Sequence, residues 1–246
     1  MISVCVAAHR VHQPPNVASI GAGLQDALAR DPGELVVALN GIDAFAAGVP
    51  PDARTVDLAY NRGVAPAWNA AASEARGELL VFCNDDVKLG GAALARLGEA
   101  LRDHPHADVV GPVGSRWDLV LGRHTDWVDP GCERPGELWP CDVVSGFLFA
   151  CRRATWEAVG GFDEFYAPAS WEEVDFCTAV RASGGGCYAV GGISYHHEWG
   201  VSRRQMPWAR ARWAGRSETW RSIHSRNKRH FLSKWAAHPI ARSESA

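Results

Sequence analysis

The chain has 246 residues, 47% of them apolar and 22% charged, with a formal net charge of −3. That composition excludes a mainly disordered chain, and the charge excludes a polycation built for nucleic acid. No apolar run approaches the roughly 20 residues needed to span a bilayer, so no integral membrane segment is expected.

In chain order, the first half alternates strands and helices. Ile2 to Ala8 reads as a buried strand, preceded by no basic or long apolar leader. No signal peptide is therefore expected. Asn16 to Arg30 has helical spacing at Val17, Ile20, Leu24 and Leu28. Glu34 to Leu39 is the second strand, broken by Asn40-Gly41, and Arg54 to Leu58 is a short third one. Val64 to Ala75 is Ala-rich and helical, with Pro66 in its first turn and Gly77 beyond its end. Leu79 to Cys83 is a very apolar strand, followed at once by Asn84-Asp85-Asp86. Ala92 to Arg102 reads as a helix, and Asp108 to Val110 begins another strand. Alternation at this pitch predicts a parallel sheet with helices on both faces.

After about residue 112 the pattern turns to mixed β. Trp117 to Trp127 reads as a hairpin around Gly122, and Pro130, Gly131, Pro135, Gly136 and Pro140 mark a loop. Val143 to Cys151 reads as a strand, Ala154 to Val159 as a short helix, and Glu172 to Ser183 as a helix ended by Gly184-Gly185-Gly186. Cys187 to Val190 is a strand leading to Tyr195-His196-His197, and about Ser217 to Trp235 is helical. Two lobes in one compact unit are expected.

Charge and cysteine are unevenly informative. Arg203 to Lys234 holds ten basic residues and one acid, Glu218, a net +9 that leaves −12 for the rest. Such a tail is either a solvated face or a surface for an anion such as a diphosphate. The seven cysteines form no Cys-x-x-Cys pair, and Cys5, Cys83 and Cys151 lie in apolar runs. Buried thiols in a reduced, cytoplasmic protein are the expectation.

Three groups carry candidate chemistry. Asp85 and Asp86 stand at the carboxyl end of a buried strand, the edge where open α/β sheets bind ligands. Adjacent carboxylates repel unless a cation neutralises them, and a hard divalent ion gripping a diphosphate would do so. An acidic turn is the plain alternative. Trp171-Glu172-Glu173-Val174-Asp175 opens a helix, where capping alone would suit acids. His196-His197 follows a strand, either as a surface pair or as the completion of an oxygen-rich metal site.

Taken together, these groups resemble glycosyltransferase family 2, over about Ile2 to Ser202. The motifs are Asn61-Arg62-Gly63 with Asn69, then Phe82 to Val87, Ser145-Gly146, Arg152-Arg153, Gly160-Gly161-Phe162-Asp163-Glu164, Glu172 to Asp175 and His196. The late Phe231-Leu232-Ser233-Lys234-Trp235 is similar to the ending of rhamnosyltransferase-like members. The resemblance implies an α/β GT-A fold: a Rossmann-like, mostly parallel central sheet with helices on both faces, a smaller mixed β acceptor lobe and a C-terminal helical tail. It divides the chain into a glycosyltransferase domain over residues 1–202 and a basic, Trp-rich extension over residues 203–246. Within the domain, residues 1–112 would bind the nucleotide sugar and residues 113–202 the acceptor.

The implied activity is transfer of a hexosyl or deoxyhexosyl group, with inversion, from a UDP-, TDP- or GDP-linked donor to a hydroxyl acceptor. Mn2+ or Mg2+ is the implied cofactor, held by Asp86 and His196, with His197 the other candidate for the histidine. Glu173 matches the general base, with Glu172 its rival. Ala7, Ala8, Arg10, Asn40, Asn61, Gly63, Asn69, Asn84, Asp85 and Gly146 are placed around the nucleotide sugar. Trp171, Asp163 and Glu164 are placed toward the acceptor, in a region that also holds Trp117, Trp127 and Trp139. Arg203 or Arg204 would add positive charge near the diphosphate. One departure stands out: Leu39 occupies the position where the family has an Asp that reads the base. Two other readings are a sugar nucleotidyltransferase and a non-catalytic sugar-nucleotide-binding scaffold. The former is disfavoured because Ala8 to Pro14 contains no Gly. The basic tail could meet an anionic membrane peripherally, pack over the site, or form a homodimer contact.

Overall fold

The computed structural model describes residues 1–9, 20–21, 23–24, 32–197 and 208–241. An eight-stranded sheet runs in the order β3-β2-β1-β4-β11-β6-β12-β9. β1 (Ile2–Ala8), β2 (Gly33–Leu39), β3 (Arg54–Asp57) and β4 (Leu79–Asn84) are mutually parallel. Every residue of β1 is buried, which explains why all but Ser3 are apolar: both faces of the strand are covered. In register, Ala7 stands between Ala38 and Asn84, so these strands end along one edge.

The other strands continue the same sheet in mixed direction. β11 (Leu148–Arg152) is antiparallel to β4 and to β6 (Val109–Gly111), while β12 (Cys187–Val190) is parallel to β6. β6 and β12 therefore point their carboxyl ends to the same edge as β4. β9 (Leu138–Cys141) closes the far side antiparallel to β12. Pro140 thus lies in an edge strand rather than a loop, the place where a missing N–H is tolerated.

Helices cover both faces. α1 (Val64–Glu74) lays Ala65, Ala67, Trp68, Ala71 and Ala72 on β1 and β2, and its small residues permit a close approach. Trp68 anchors Phe82, Phe149 and Phe162 at ring distances of 5.7, 5.6 and 5.3 Å. On the opposite face, α2 (Ala93–Asp103) buries Leu94, Leu97 and Leu101 with Ile20 and Leu24. Residues 20, 21, 23 and 24 are helical, as the spacing there predicts. The rest of the Asn16–Arg30 expectation, like Arg10, Arg203 and Arg204, lies outside the described residues. Leu39 is a core residue of this second face.

The smaller β lobe is a three-stranded sheet of β7 (Gly114–Asp118), β8 (Arg123–Val128) and β10 (Val143–Val144). The hairpin turns at Gly122, whose φ of 55° suits glycine. The expected strand over 143–151 is two strands, because Ser145-Gly146-Phe147 breaks away between β10 and β11. A two-stranded ribbon of β5 (Val87–Leu89) and β13 (Tyr195–His197) was not legible in sequence. Short helices α3 (Arg153–Ala158) and α4 (Glu172–Ala182) follow β11 and precede β12.

The C-terminal segment is not helical from Ser217. β14 (Arg210–Trp213) and β15 (Arg216–Thr219) form a hairpin first. Ala214 and Gly215 both have positive φ, the signature of a tight turn matched to strand twist. Thr219 then caps α5 (Trp220–Trp235), its side chain accepting from Ser222 N at 3.2 Å. Among the described residues no helix is long and apolar enough to cross a membrane. All seven cysteines are free thiols, and only Cys132 is exposed.

Candidate functional site

The site lies along the carboxyl edge of the sheet. The first three strand ends are knitted together by side chains. Asn40, 2% exposed, gives its amide N–H groups to Asn61 Oδ1 and Gly63 O, both at 3.1 Å, and accepts from Arg62 N at 2.7 Å. Asn61 Oδ1 also accepts from Gly63 N at 2.9 Å, so its Nδ2 must be the donor toward His9 Nε2 at 3.1 Å. His9 Nδ1 meets Asn40 O at 3.0 Å. A carbonyl can only accept there, so His9 is held as the Nδ1–H tautomer. Gly63 has a φ of 103°, and a Cβ would come within 2.9 Å of Ala167 Cβ and Pro168 Cα. Only glycine lets the Ala167-Pro168 loop close against this turn.

His9 N donates to Asp85 Oδ2 at 2.6 Å, joining this network to the acidic pair. Burial pushes the Asp85 carboxyl up to about 7, against the pull of that hydrogen bond and with help from the Asp86 charge. Asp86 Oδ1 is buried without a hydrogen-bond donor and faces His197 Nε2 at 3.4 Å. The His197 ring is held flat against Phe147, with centroids 4.6 Å apart at 10°. Phe147 O in turn accepts from Asn84 N at 2.9 Å. Strand alternation in β13 turns His196 to the opposite face, where it is exposed. Of the two histidines the sequence offered, the structure brings His197 to Asp86, whereas the resemblance matched His196.

A carboxylate oxygen lacking a donor beside an imidazole nitrogen fits a divalent cation that takes further ligands from phosphate and water. No group of three or more His, Cys, Asp or Glu suited to a metal exists among the described residues. Among the described residues, Asp86 and His197 are the two side chains that would hold such an ion.

The second acidic group reaches the same edge through Gly146. Glu173 is half-buried, and a Cβ on Gly146 would meet its Cβ, Cγ and Cδ at 3.2 Å. Glycine at 146 is what admits the Glu173 side chain. Glu172 is buried, with Oε2 lacking a partner. Burial first, and then the Glu173 charge, push its carboxyl far above the usual range. Ser170 and Trp171, both with positive φ (85° and 82°), form the turn that starts α4. Two consecutive non-glycine residues there store strain, which surrounding contacts must hold.

Several expected site residues serve the framework instead. Trp171 is 3% exposed, packed between Trp117 and Phe231 with its indole N–H on His224 Nδ1 at 3.2 Å, and so offers no acceptor face. Asn69 grips Phe162 through both N–H and C=O (2.8 and 2.9 Å) and reaches Glu164 at 3.2 Å. Its amide thus holds the Gly160 to Glu164 turn rather than reaching the Asp85-Asp86 edge. Asp163 accepts from His230 and Lys234, both at 3.0 Å. Glu164 is exposed, 4.0 Å from Arg62. Ala7 and Ala8 are buried core residues whose backbone alone faces the strand ends. Asp175, 3% exposed, is tied to Tyr166, Lys234 and Trp235.

Sequence reasoning left the choice between His196 and His197 open and missed His9 and the α5 residues beneath the acidic turn. A histidine directly after the Ala7-Ala8 strand end was the available signal for the first. Beside His197 lies a cleft of about 350 Å³ lined by Asp129, Cys132, Tyr195 and His196. On the smaller lobe Trp127 is 54% exposed, with the His124 ring 4.5 Å away.

Comparison with known proteins bears on the fold. The sequence profile of "Glycosyl transferase family 2" matches residues 40–134. No curated protein matches the chain. Among solved structures, GalNAc-T7 with UDP, GalNAc and Mn2+ is similar with a TM-score of 0.60 at 14% identity. That match covers 80% of this chain and 43% of the other. The mannosyltransferase PcManGT from Pyrobaculum calidifontis, with GDP-Man and Mn2+, is similar with a TM-score of 0.51 at 20% identity. It covers 76% of this chain and 53% of the other, so this chain spans about half the length of the structures it matches. The chain has a GT-A-like architecture.

Proposed function

We propose that the chain is an inverting, metal-dependent glycosyltransferase of the family 2 type, moving a sugar from a nucleotide sugar to an acceptor hydroxyl. The observation that carries this reading is the convergence of Asp85, the Asp86–His197 pair and Glu173 on one sheet edge through Asn84, Phe147 and Gly146. The partial profile match and the Mn2+-containing structural relatives support it.

The roles follow from the environments. A divalent ion at Asp86 and His197 would neutralise the charge gathering on the departing nucleoside diphosphate. Asp85 and the His9–Asn40–Asn61 network line the nucleotide end. Glu173 takes the proton of the acceptor hydroxyl as that oxygen attacks the anomeric carbon and the bond to the diphosphate breaks. Glu173 suits this better than Glu172, because Glu172 is buried whereas Glu173 is half-buried against Gly146 at the sheet edge. The cleft beside His197 and the exposed Trp127 provide the acceptor side, with an aromatic face for a sugar. Exposed Arg210, Arg212, Arg216, Arg221 and Arg229 provide a peripheral contact for an anionic membrane.

Calorimetric titration of nucleoside diphosphates, with and without Mn2+, tests the reading. One nucleotide should bind in a metal-dependent way, and Asp86→Ala should abolish that dependence. Glu173→Gln should bind the nucleotide normally yet stop turnover of the matching nucleotide sugar. Full activity in either variant would refute the assignment.

A further inference from the structure

The strained turn before Glu172 and Glu173 is held from outside, by α5. His224, Asn227 and Phe231 share one helical face at spacings of three and four and meet residues 166–171. His224 Nδ1 lies 3.2 Å from Trp171 Nε1 and 3.3 Å from Ser170 Oγ. The Phe231 ring packs on Trp171 at 5.1 Å. Asn227 is completely buried. Its Nδ2 donates to Ser170 O (2.8 Å), Tyr166 O (2.9 Å) and Ala169 O (3.3 Å). Its Oδ1 accepts from Arg226 Nε and Nη2, at 3.0 and 2.9 Å. The amide orientation is thereby fixed, and its N–H groups reach the carbonyls leading into the two left-handed residues.

We propose that Asn227 is a positioning residue for the reaction. By gathering these three carbonyls it fixes the Ser170-Trp171 turn, and that turn sets where α4 begins. The start of α4 fixes where Glu173 stands against Gly146. Burying an amide beside a catalytic turn suits this task, since an unpaired buried amide is costly and a fully bonded one admits a single arrangement. Asn227 itself touches neither donor nor acceptor. The inference rests on the proposed role of Glu173.

The test compares wild type, Asn227→Ala and Trp235→Phe. The last removes the indole bond to Asp175 lower on the same helix and serves as a purely structural control. Two readouts are taken: Mn2+-dependent binding of UDP, TDP and GDP, and release of nucleoside diphosphate from the corresponding nucleotide sugars. Asn227→Ala should lower kcat roughly 10- to 100-fold, the scale of a 1 Å misplacement, with nucleotide affinity and donor KM changed less than about twofold. Trp235→Phe should lower Tm and leave kcat in place. Equal kcat in wild type and Asn227→Ala would overturn the proposal, as would a loss matched by Trp235→Phe at equal loss of Tm. If Asn227→Ala does not fold, Asn227→Ser, which keeps one donor, is judged by the same criteria. Absence of turnover in wild type with every donor would instead strike the underlying glycosyltransferase reading.

Discussion

Replacing Lys234 by Met tests how firmly α5 is tied to α4 and the Asp163 turn. Lys234 Nζ donates to Asp175 Oδ2 at 2.7 Å and to Asp163 Oδ2 at 3.0 Å. The Asp175 side chain is 4% exposed and the Lys234 side chain 35%. Breaking a fully buried pair costs about 3–5 kcal/mol, and an exposed pair is worth about 0–1 kcal/mol. Asp175 keeps its bonds from Tyr166 and Trp235, and Lys234 is partly solvated, so a loss of about 2–3 kcal/mol is expected. At roughly 2 °C per kcal/mol for a chain of this length, Tm should fall by about 4–6 °C.

The assay is thermal unfolding of wild type, Lys234→Met, Asp175→Asn and the double variant across pH. Burial disfavours the Lys234 charge, but the hydrogen bonds and charges of Asp175 and Asp163 outweigh it and hold the ammonium above its ordinary value. Its contribution is therefore complete below the ordinary lysine pKa and is lost as pH rises through the raised one. Burial raises the Asp163 carboxyl, yet His230, the Phe165 N–H and Lys234 bring it below its ordinary value. That contribution is complete above the ordinary Asp pKa and is lost as pH falls through the lowered one. The effect of Lys234→Met should accordingly be flat through the neutral range. A shift of less than about 1 °C, or full additivity in the double variant, would refute the reasoning.

Two further outcomes are expected. His197→Ala should weaken the Mn2+-dependent part of nucleotide binding at least about tenfold, the loss that even an outer partner of a metal ligand brings, while His196→Ala leaves it intact in the same titration. Glu172→Gln should raise Tm at pH 8 and lose that advantage near pH 4: the folded protein holds a proton on Glu172 that the unfolded chain releases above the ordinary Glu pKa, so wild-type stability falls as pH rises through that window.

Much of the sheet was legible because buried parallel strands announce themselves. Ile2 to Ala8, apart from Ser3, and Leu79 to Cys83 are apolar, and Asp85-Asp86 stands just beyond a strand end, where open α/β sheets commonly bind ligands. The choice between His196 and His197 was not legible, since it depends on which face of β13 meets β5, a pairing across more than 100 residues. Trp171 shows the opposite error. Its neighbours along the chain suggest a substrate contact, but its burial is decided by Trp117 and Phe231, both far away in sequence. The hairpin before α5 was hidden for a third reason. Its strands are rich in Arg and Ser, and only the paired positive φ values at Ala214 and Gly215 betray a turn that sequence polarity disguises as helix surface.

That hairpin also imposes an order of assembly. Asn61 O accepts from Ala214 N at 2.7 Å, and Asn61 Nδ2 donates to Arg212 O at 3.0 Å across a separation of 151 residues. A loop of that length must close before either bond forms, so these bonds come late in folding. On the ribosome the first four strands emerge and pair long before β14 exists. Asn61 meanwhile keeps its bonds to Asn40, Gly63 and His9 and lacks the two from the hairpin. The hairpin thus completes the hydrogen bonding of Asn61 and joins residues 210–219 to the carboxyl edge of the sheet.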